Sequence, residues 1–212
     1  MSTTAGRPLP PETAPLVLAS ASPSRRQLLL DAGVRFRVVP SAVDEAALRR
    51  DLDAGAMPLA DMALALACEK ALSVSRDEPD SLVLGADQML ECDGRRLDKA
   101  ADMAEARRHL EALQGRTHRL VTATVLVANG ERRWHHTATA ALTMRSLDEE
   151  SLTAYIAAAG ERILASVGCY QVEGRGIRLF ERIEGDWHAI IGLPLLAVLN
   201  ELDARGALGP WD

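Results

Sequence analysis

The chain has 212 residues, of which 48% are hydrophobic, 25% charged and only 3% aromatic. That length supports one sizeable α/β domain or two lobes on a shared core, and the core must rest on Leu, Val, Ile and Ala. A net charge of −6 excludes a broad basic face for nucleic acid, yet a few focused cations can still dominate one cleft.

The three cysteines, Cys68, Cys92 and Cys169, are odd in number and contain no C-x-x-C spacing. A disulfide framework or zinc knuckle is therefore not expected, and a reducing cytoplasm is the simple location. The stretch MSTTAGRPLPPETAP has no apolar h-region and reads as a mobile tail over residues 1–14, not a secretory signal. No apolar run approaches the roughly 20 residues that span a bilayer.

Leu16 to Ala19 reads as a short buried strand. Ser22 then stands as an N-cap with Pro23 at the first helical position, and Gly33 stops the helix. Phe36 to Val39 is a second strand, and Glu45 to Leu52 is helical. The segment LADMALALACEKAL, Leu59 to Leu72, is strongly helical. Ser81 to Ala86 forms a continuous apolar run ending in Asp87, the pattern of an interior parallel strand.

Asp102 with Glu105 makes a capping-box-like start to a helix that Gly115 closes. Leu120 to Ala128 predicts a long strand. Asn129-Gly130 predicts a hairpin, so Arg132 to Met144 returns antiparallel. Ser146 and Glu149 open another helix through about Ala158. A further hairpin is expected around Glu184-Gly185-Asp186, and Pro194 to Ala204 forms a terminal helix. Helices intermingled with strands, one pair antiparallel, predict a mixed α/β sheet flanked by helices. No linker divides residues 15–212.

The stretch LVLASASPSRRQLLLDAG poses an electrostatic question. Arg25 and Arg26 stand in the first turn of a helix, where the macrodipole disfavours cations. Two readings stand. A bound anion would make both guanidinium groups and the free backbone N–H groups mutually favourable, with Ser20, Ser22 and Ser24 as further donors. Alternatively, the arginines extend into solvent at a cost of tenths of a kcal/mol to about one.

Met62, Leu66 and Lys70 follow at i, i+4 and i+8 on one helix face. Lys70 either reaches along that stripe into a cleft or is a cation suited to a last turn. Asp87 follows the small pair Gly85-Ala86, which would let a ligand or metal approach the backbone, or else Asp87 caps a turn. Asp44-Glu45 could hold a divalent cation or cap a helix, and Lys99 is a loop cation.

Other candidates fail. His135 and His136 are adjacent on a strand and point to opposite faces. His118 and His188 lack ligand partners at zinc spacing. E-G-R-G-I does not fit a dinucleotide fingerprint, and neither G-x-S-x-G nor a Walker loop occurs.

Taken together, LASASPSRRQLL, VDE, EKA, LGADQ, LDKA, LQGRTHRLVT and GCYQVEGRGIRLFERIEGDWHAIIGLPL resemble the Maf family of nucleoside triphosphate pyrophosphatases. The elements fall in the family's order from Leu16 to the last helix. The resemblance implies a mixed α/β fold with a central cleft, similar to that of inosine triphosphatases, and two lobes around it within residues 15–212. It implies that Ser20, Arg25 and Arg26 bind the triphosphate, and that Lys70 and Lys99 line the same cleft. Asp87 matches the acid taken as catalytic base or metal ligand, and Glu45 a candidate metal-site acid, with Mg²⁺ or Mn²⁺ as cofactor. A nucleoside triphosphate is the implied partner, with no nucleic acid, no membrane and room for a homodimer.

Members acting on dTTP and UTP commonly carry G-A-D-T and a Gln before the later glycine. Here Gln88 follows Asp87, and Glu173 precedes Gly174. Both, with GIRLFERIEG, resemble the subfamily described as 7-methyl-GTP pyrophosphatases. That subfamily can carry a large aromatic where this chain has Ser24, and the family usually has Pro where this chain has Ala100. A carboxylate at 173 could accept from a guanine edge, so Ser24, Gln88 and Glu173 join the expected substrate-binding set. The expected reaction is hydrolysis of NTP to NMP and pyrophosphate. The alternatives are a nucleotide-binding regulator of septum formation with little catalysis, and a phosphatase removing only the γ-phosphate.

Overall fold

The computed structural model describes residues 15–53 and 57–209; the expected tail over 1–14 lies outside them. In chain order the elements are β1 (Leu16–Leu18), α1 (Pro23–Asp31), β2 (Phe36–Val38), α2 (Glu45–Asp53), α3 (Leu59–Ser75), β3 (Leu82–Cys92) and β4 (Arg95–Leu97). There follow α4 (Met103–Leu113), β5 (Thr117–Ala128), β6 (Glu131–Met144), α5 (Glu149–Ala159), β7 (Phe180–Glu184), α6 (Trp187–Ile191) and α7 (Leu195–Ala204). Short 3₁₀ turns occupy much of 160–179.

The strands form a mixed sheet in the order β2-β1-β3-β5-β6-β7, with β4 paired on β3. β1 runs parallel to both β2 and β3, and all other pairings are antiparallel. The β5–β6 hairpin turns at Asn129 (φ 54°) and Gly130 (φ 72°), the two positive dihedrals that a type I′ connection requires. Strand alternation then sorts the core. Val83, Met89, Val121, Ala123, Val125 and Val127 face α3 together with Val17 and Ala19. Leu16, Leu18, Leu82, Leu84 and Leu126 face α1 and α7. A third cluster fills the far end of the sheet beneath α4 and α5, including Leu90, Leu110, Leu113, Leu142 and Ile163.

Three local expectations change. β3 does not end at Asp87 but continues to Cys92, because β5 pairs with it along its whole length, down to Glu91↔Arg119. Only its other neighbour stops, since the β1 pairing ends at Leu18↔Leu84. The N-cap of α5 is Asp148, which accepts from the Ser151 N–H at 2.7 Å, and not Ser146. No hairpin forms at Glu184-Gly185-Asp186. Asp186 instead caps α6, its Oδ1 accepting from the backbone N–H groups of His188 and Ala189.

Gly85 also has a different purpose from the one expected. A Cβ there would lie 2.5 Å from the Ala67 carbonyl oxygen and 2.8 Å from Ala71 Cβ, so its bareness serves close packing of α3 on the sheet. Gly85→Ala should therefore cost about 1–3 kcal/mol by overpacking, lowering Tm by about 2–4 °C for each kcal/mol. An unchanged melting temperature would refute that packing role.

Candidate functional site

Where β1 stops and the chain turns into α1, the edge of β3 beyond Leu84 is left without a strand neighbour until β4 joins at Leu90. Ligands of open α/β sheets collect at such crevices. A cavity of about 310 Å³ opens there, lined among others by Ser20, Ser22, Ser24, Arg25, Glu45, Arg49, Lys70, Asp87, Gln88, Lys99 and Gln171.

Asp87 has the strand parity of Val83, Gly85 and Met89, so it points toward α3. The tight Gly85 contact brings Lys70 down onto it. The Lys70 ammonium donates to Asp87 Oδ1 at 2.6 Å and lies 2.9 Å from Glu45 Oε1. Both members of the inner pair are buried, with side chains 7% and 4% exposed. Asp87 Oδ2 is buried as well and has no hydrogen-bond partner among the described residues. One oxygen of this carboxylate is thus held, and the other is buried without a hydrogen-bond partner among those residues.

Burial pushes the Glu45 carboxyl upward, but the charge and hydrogen bond of Lys70, with Arg49 and Lys99, outweigh it and hold the group below its usual range. Lys99 makes no hydrogen bond or ion pair among the described residues. Burial lowers its ammonium below the ordinary lysine value, and the neighbouring Arg25 charge acts in the same direction.

Arg25 and Arg26 part company. Arg25 is buried, donating from Nε to the Gly192 carbonyl at 2.8 Å and from Nη1 to the Ala86 carbonyl at 2.9 Å and Ser20 Oγ at 3.2 Å. Burial lowers its pKa, and the charges of Asp87 and Glu45 act against that without overcoming it. Arg25 therefore ties α1 to β3 and to the turn after α6, and it lines the cleft while doing so. Arg26 is exposed and does not line the cavity. Successive helix residues point about 100° apart, so only one of the two can face inward.

Ser20 is buried and accepts from the Ser22 N–H at 3.2 Å as well as from Arg25. Ser24 donates to Glu173 Oε1 at 3.2 Å across the cleft mouth. Glu173 is exposed and borders a small adjoining cavity of about 20 Å³ with Gln88, Tyr170 and Ile190. The Gln88 amide nitrogen donates to Thr122 Oγ1 and to the Ala189 and Ile190 carbonyls, so this side chain anchors α6 while touching both cavities.

Arg49 is the cleft residue that sequence reasoning missed. Its guanidinium lies 3.3 Å from Glu45, 3.7 Å from Asp87 and 3.7 Å from Asp98, and its Nε is buried without a hydrogen-bond partner. The available signal was its place four residues after Glu45, on the same helix face. His118, set aside as a metal ligand, is a core residue. Burial lowers its pKa to about 4, and its Nε2 meets Tyr170 Oη at 2.7 Å, which braces the 166–173 segment beside the cleft.

Carboxylate and cations thus share one cleft at a sheet crevice. Residues 15–205 match the family described as Maf-like protein. A nucleoside triphosphate pyrophosphatase from Granulibacter bethesdensis is 47% identical over 91% of this chain and 98% of its own. A 7-methyl-GTP pyrophosphatase from Mesorhizobium japonicum is 50% identical over 92% of this chain and 98% of its own. One from Rhizobium meliloti is 49% identical over 91% and 97%. Among solved structures, lipoprotein GNA1162 from Neisseria meningitidis overlaps 73% of this chain and 96% of its own at 16% identity, with a TM-score of 0.27 that carries no argument. By its match to the family over nearly every described residue, the chain belongs to the Maf family.

Proposed function

We propose that this protein hydrolyses a nucleoside triphosphate to the monophosphate and pyrophosphate, cleaving the anhydride between the α and β phosphates. The observation that carries the reading is Asp87, buried, tied by one oxygen to Lys70 and with the other unpartnered in a cation-lined cleft. A triphosphate carries about four negative charges, and repulsion of incoming water is the main obstacle to its hydrolysis. Arg25, Arg49, Lys70 and Lys99 offset that charge and stabilise what develops on the leaving pyrophosphate. Asp87 Oδ2 orients the water and takes its proton. The names of the relatives, nucleoside triphosphate pyrophosphatase and 7-methyl-GTP pyrophosphatase, support the same reaction.

Among the described residues no cluster of three His, Cys, Asp or Glu side chains could hold a metal. The unpartnered Asp87 oxygen and nearby Glu45 nevertheless fit the way Mg²⁺ is commonly held, by one or two carboxylates with phosphate oxygens and water completing the set. Asp87 and Glu45 are the residues that would hold it. A divalent cation bound there supplies charge neutralisation and lowers the pKa of water.

We read a guanine-type base, such as 7-methyl-guanine, as the preferred one. Glu173 presents an acceptor to the cleft mouth, where Ser24 supplies the hydrogen that a guanine N–H would otherwise bring. Glu173→Gln should lower the preference for guanine nucleotides over uridine or thymidine ones by about tenfold or more, given about 1.5–3 kcal/mol for a hydrogen bond to a charged group. An unchanged ratio of kcat/KM values would reject that role.

Residues 15–212 are read as one unit with two lobes around the cleft, and the continuous family match over 15–205 supports the single unit. We place it in the cytoplasm, on the free Cys68, Cys92 and Cys169. No helix among the described residues is long and apolar enough to cross a membrane. The deciding experiment is a panel of canonical and modified triphosphates with Mg²⁺ or Mn²⁺. Release of pyrophosphate supports the proposal. Orthophosphate alone would indicate γ-phosphate removal, and no product at all a binding protein.

A further inference from the structure

A second cavity, of about 550 Å³, is lined in part by Arg145, Arg175 and Arg178. Arg145 follows the end of β6, where its backbone N–H donates to the Leu179 carbonyl at 2.8 Å and ties the strand to the 3₁₀ turn Arg175–Leu179. A 3₁₀ helix has three residues per turn, so Arg175 and Arg178 are eclipsed on one side of it. Sequence and fold together therefore deliver three guanidinium groups to one hollow.

None of the three side chains makes a hydrogen bond or ion pair among the described residues. All three are exposed, and they differ from Arg37, Arg116 and Arg119, which have carboxylate partners within 3 Å. The acid on this wall, Asp148, has Oδ1 committed to the Ser151 N–H as the cap of α5. Three like charges around a single carboxylate leave net positive charge in the hollow, and an anion relieves the repulsion among them while receiving forked donors. The rest of the wall mixes apolar side chains, Leu147, Tyr155 and Leu179 among them, with the hydroxyls of Ser146 and Ser151, which suits a ligand carrying more than a bare ion.

Two contacts link this hollow to the cleft. The Tyr155 hydroxyl donates to the Cys169 carbonyl at 3.3 Å. Gly176, between the two turn arginines, lies bare against Gln171: a Cβ there would come within 2.5 Å of the Gln171 carbonyl oxygen and 2.8 Å of its nitrogen. Gln171 lines the cleft itself. Anything that fixes Arg175 and Arg178 also fixes the backbone behind Gln171.

We propose that this second cavity is a binding site for the phosphate group of a small phosphorylated molecule, whose occupancy is transmitted to the cleft through residues 169–171. The site stands on its own geometry and does not require the cleft to be a pyrophosphatase centre. The test is calorimetric titration of the full chain with inorganic pyrophosphate and, separately, with GMP. At least one probe should fill two classes of site in the natural chain, and Arg175→Ser/Arg178→Ser should abolish one class or weaken it at least tenfold. Which probe fills the arginine-dependent class distinguishes a free polyphosphate from a nucleotide as its source. Turnover without added probe should stay within twofold of the natural chain, while any response of turnover to the probe is lost. Arg145→Glu, with its melting temperature measured in parallel, supplies an independent variant should the double one misfold. An unaltered number and strength of binding classes in both folded variants would overturn the proposal.

Discussion

Asp87→Asn is expected to slow pyrophosphate release at least about 10²-fold, the loss that follows removal of a positioned general base, in a protein that still folds. The substitution is nearly isosteric, and an amide oxygen can still accept from the Lys70 ammonium now 2.6 Å from Oδ1. What disappears is the second oxygen as a proton acceptor, the one buried without a partner. Steady-state turnover with a matched thermal melt checks this, because loss of rate through unfolding would lower Tm alongside it. Turnover near that of the natural chain would remove Asp87 from the chemistry. If the residue also holds a divalent cation, the concentration of Mn²⁺ giving half-maximal rate should rise in the variant.

Lys70→Met carries the largest expected cost in stability. The methionine keeps the apolar length that continues the Met62 and Leu66 stripe, and all three positions are buried on α3. It removes the one ammonium that lies within 3 Å of both Asp87 and Glu45. Breaking a buried pair from one side typically costs about 3–5 kcal/mol, because the remaining charge is stranded. Arg49, 3.7 Å from Asp87, offsets part of this, so the lower end of that range is expected, with a Tm drop near 10 °C at about 2–4 °C per kcal/mol. Lys70→Arg should restore little, since a planar guanidinium does not fit the space of a compact ammonium. A melt within 2 °C of the natural chain would show that the pair contributes nothing net.

What could be foreseen from the sequence was local. Ser22-Pro23 announces the start of α1 because cap and fixed φ act within one turn, and the Ser22 side chain does accept from the Arg25 N–H. Asn129-Gly130 announces its hairpin because few other residues tolerate those dihedrals. The Met62-Leu66-Lys70 spacing put the lysine on one face with two apolar residues, and the structure buries all three, which the spacing alone left open. The cleft set as a whole came into view only through resemblance, since each of its members had an ordinary alternative.

The misses share one cause, dependence on distant partners. Where β3 ends is decided by β5, some 30–40 residues later in the chain. Which of two neighbouring arginines turns inward is decided by the Gly192 and Ala86 carbonyls. Gly185-Asp186 satisfies a hairpin and a helix cap equally well as a dipeptide, and the chain after it chooses the helix. Arg49 needed knowledge that Glu45 faces the cleft before its own position could mean anything.

β5 runs from the cluster under α4 to the one beneath α1 and α7, laddered to β3 over Arg119 to Ala128 on one side and to β6 from Thr117 to Ala128 on the other. Jaws cannot open about such a spine without rupturing hydrogen bonds on both flanks. Admission and release at the crevice therefore fall to smaller parts: the Ser24–Glu173 latch at the rim and the irregular stretch from 160 to 179.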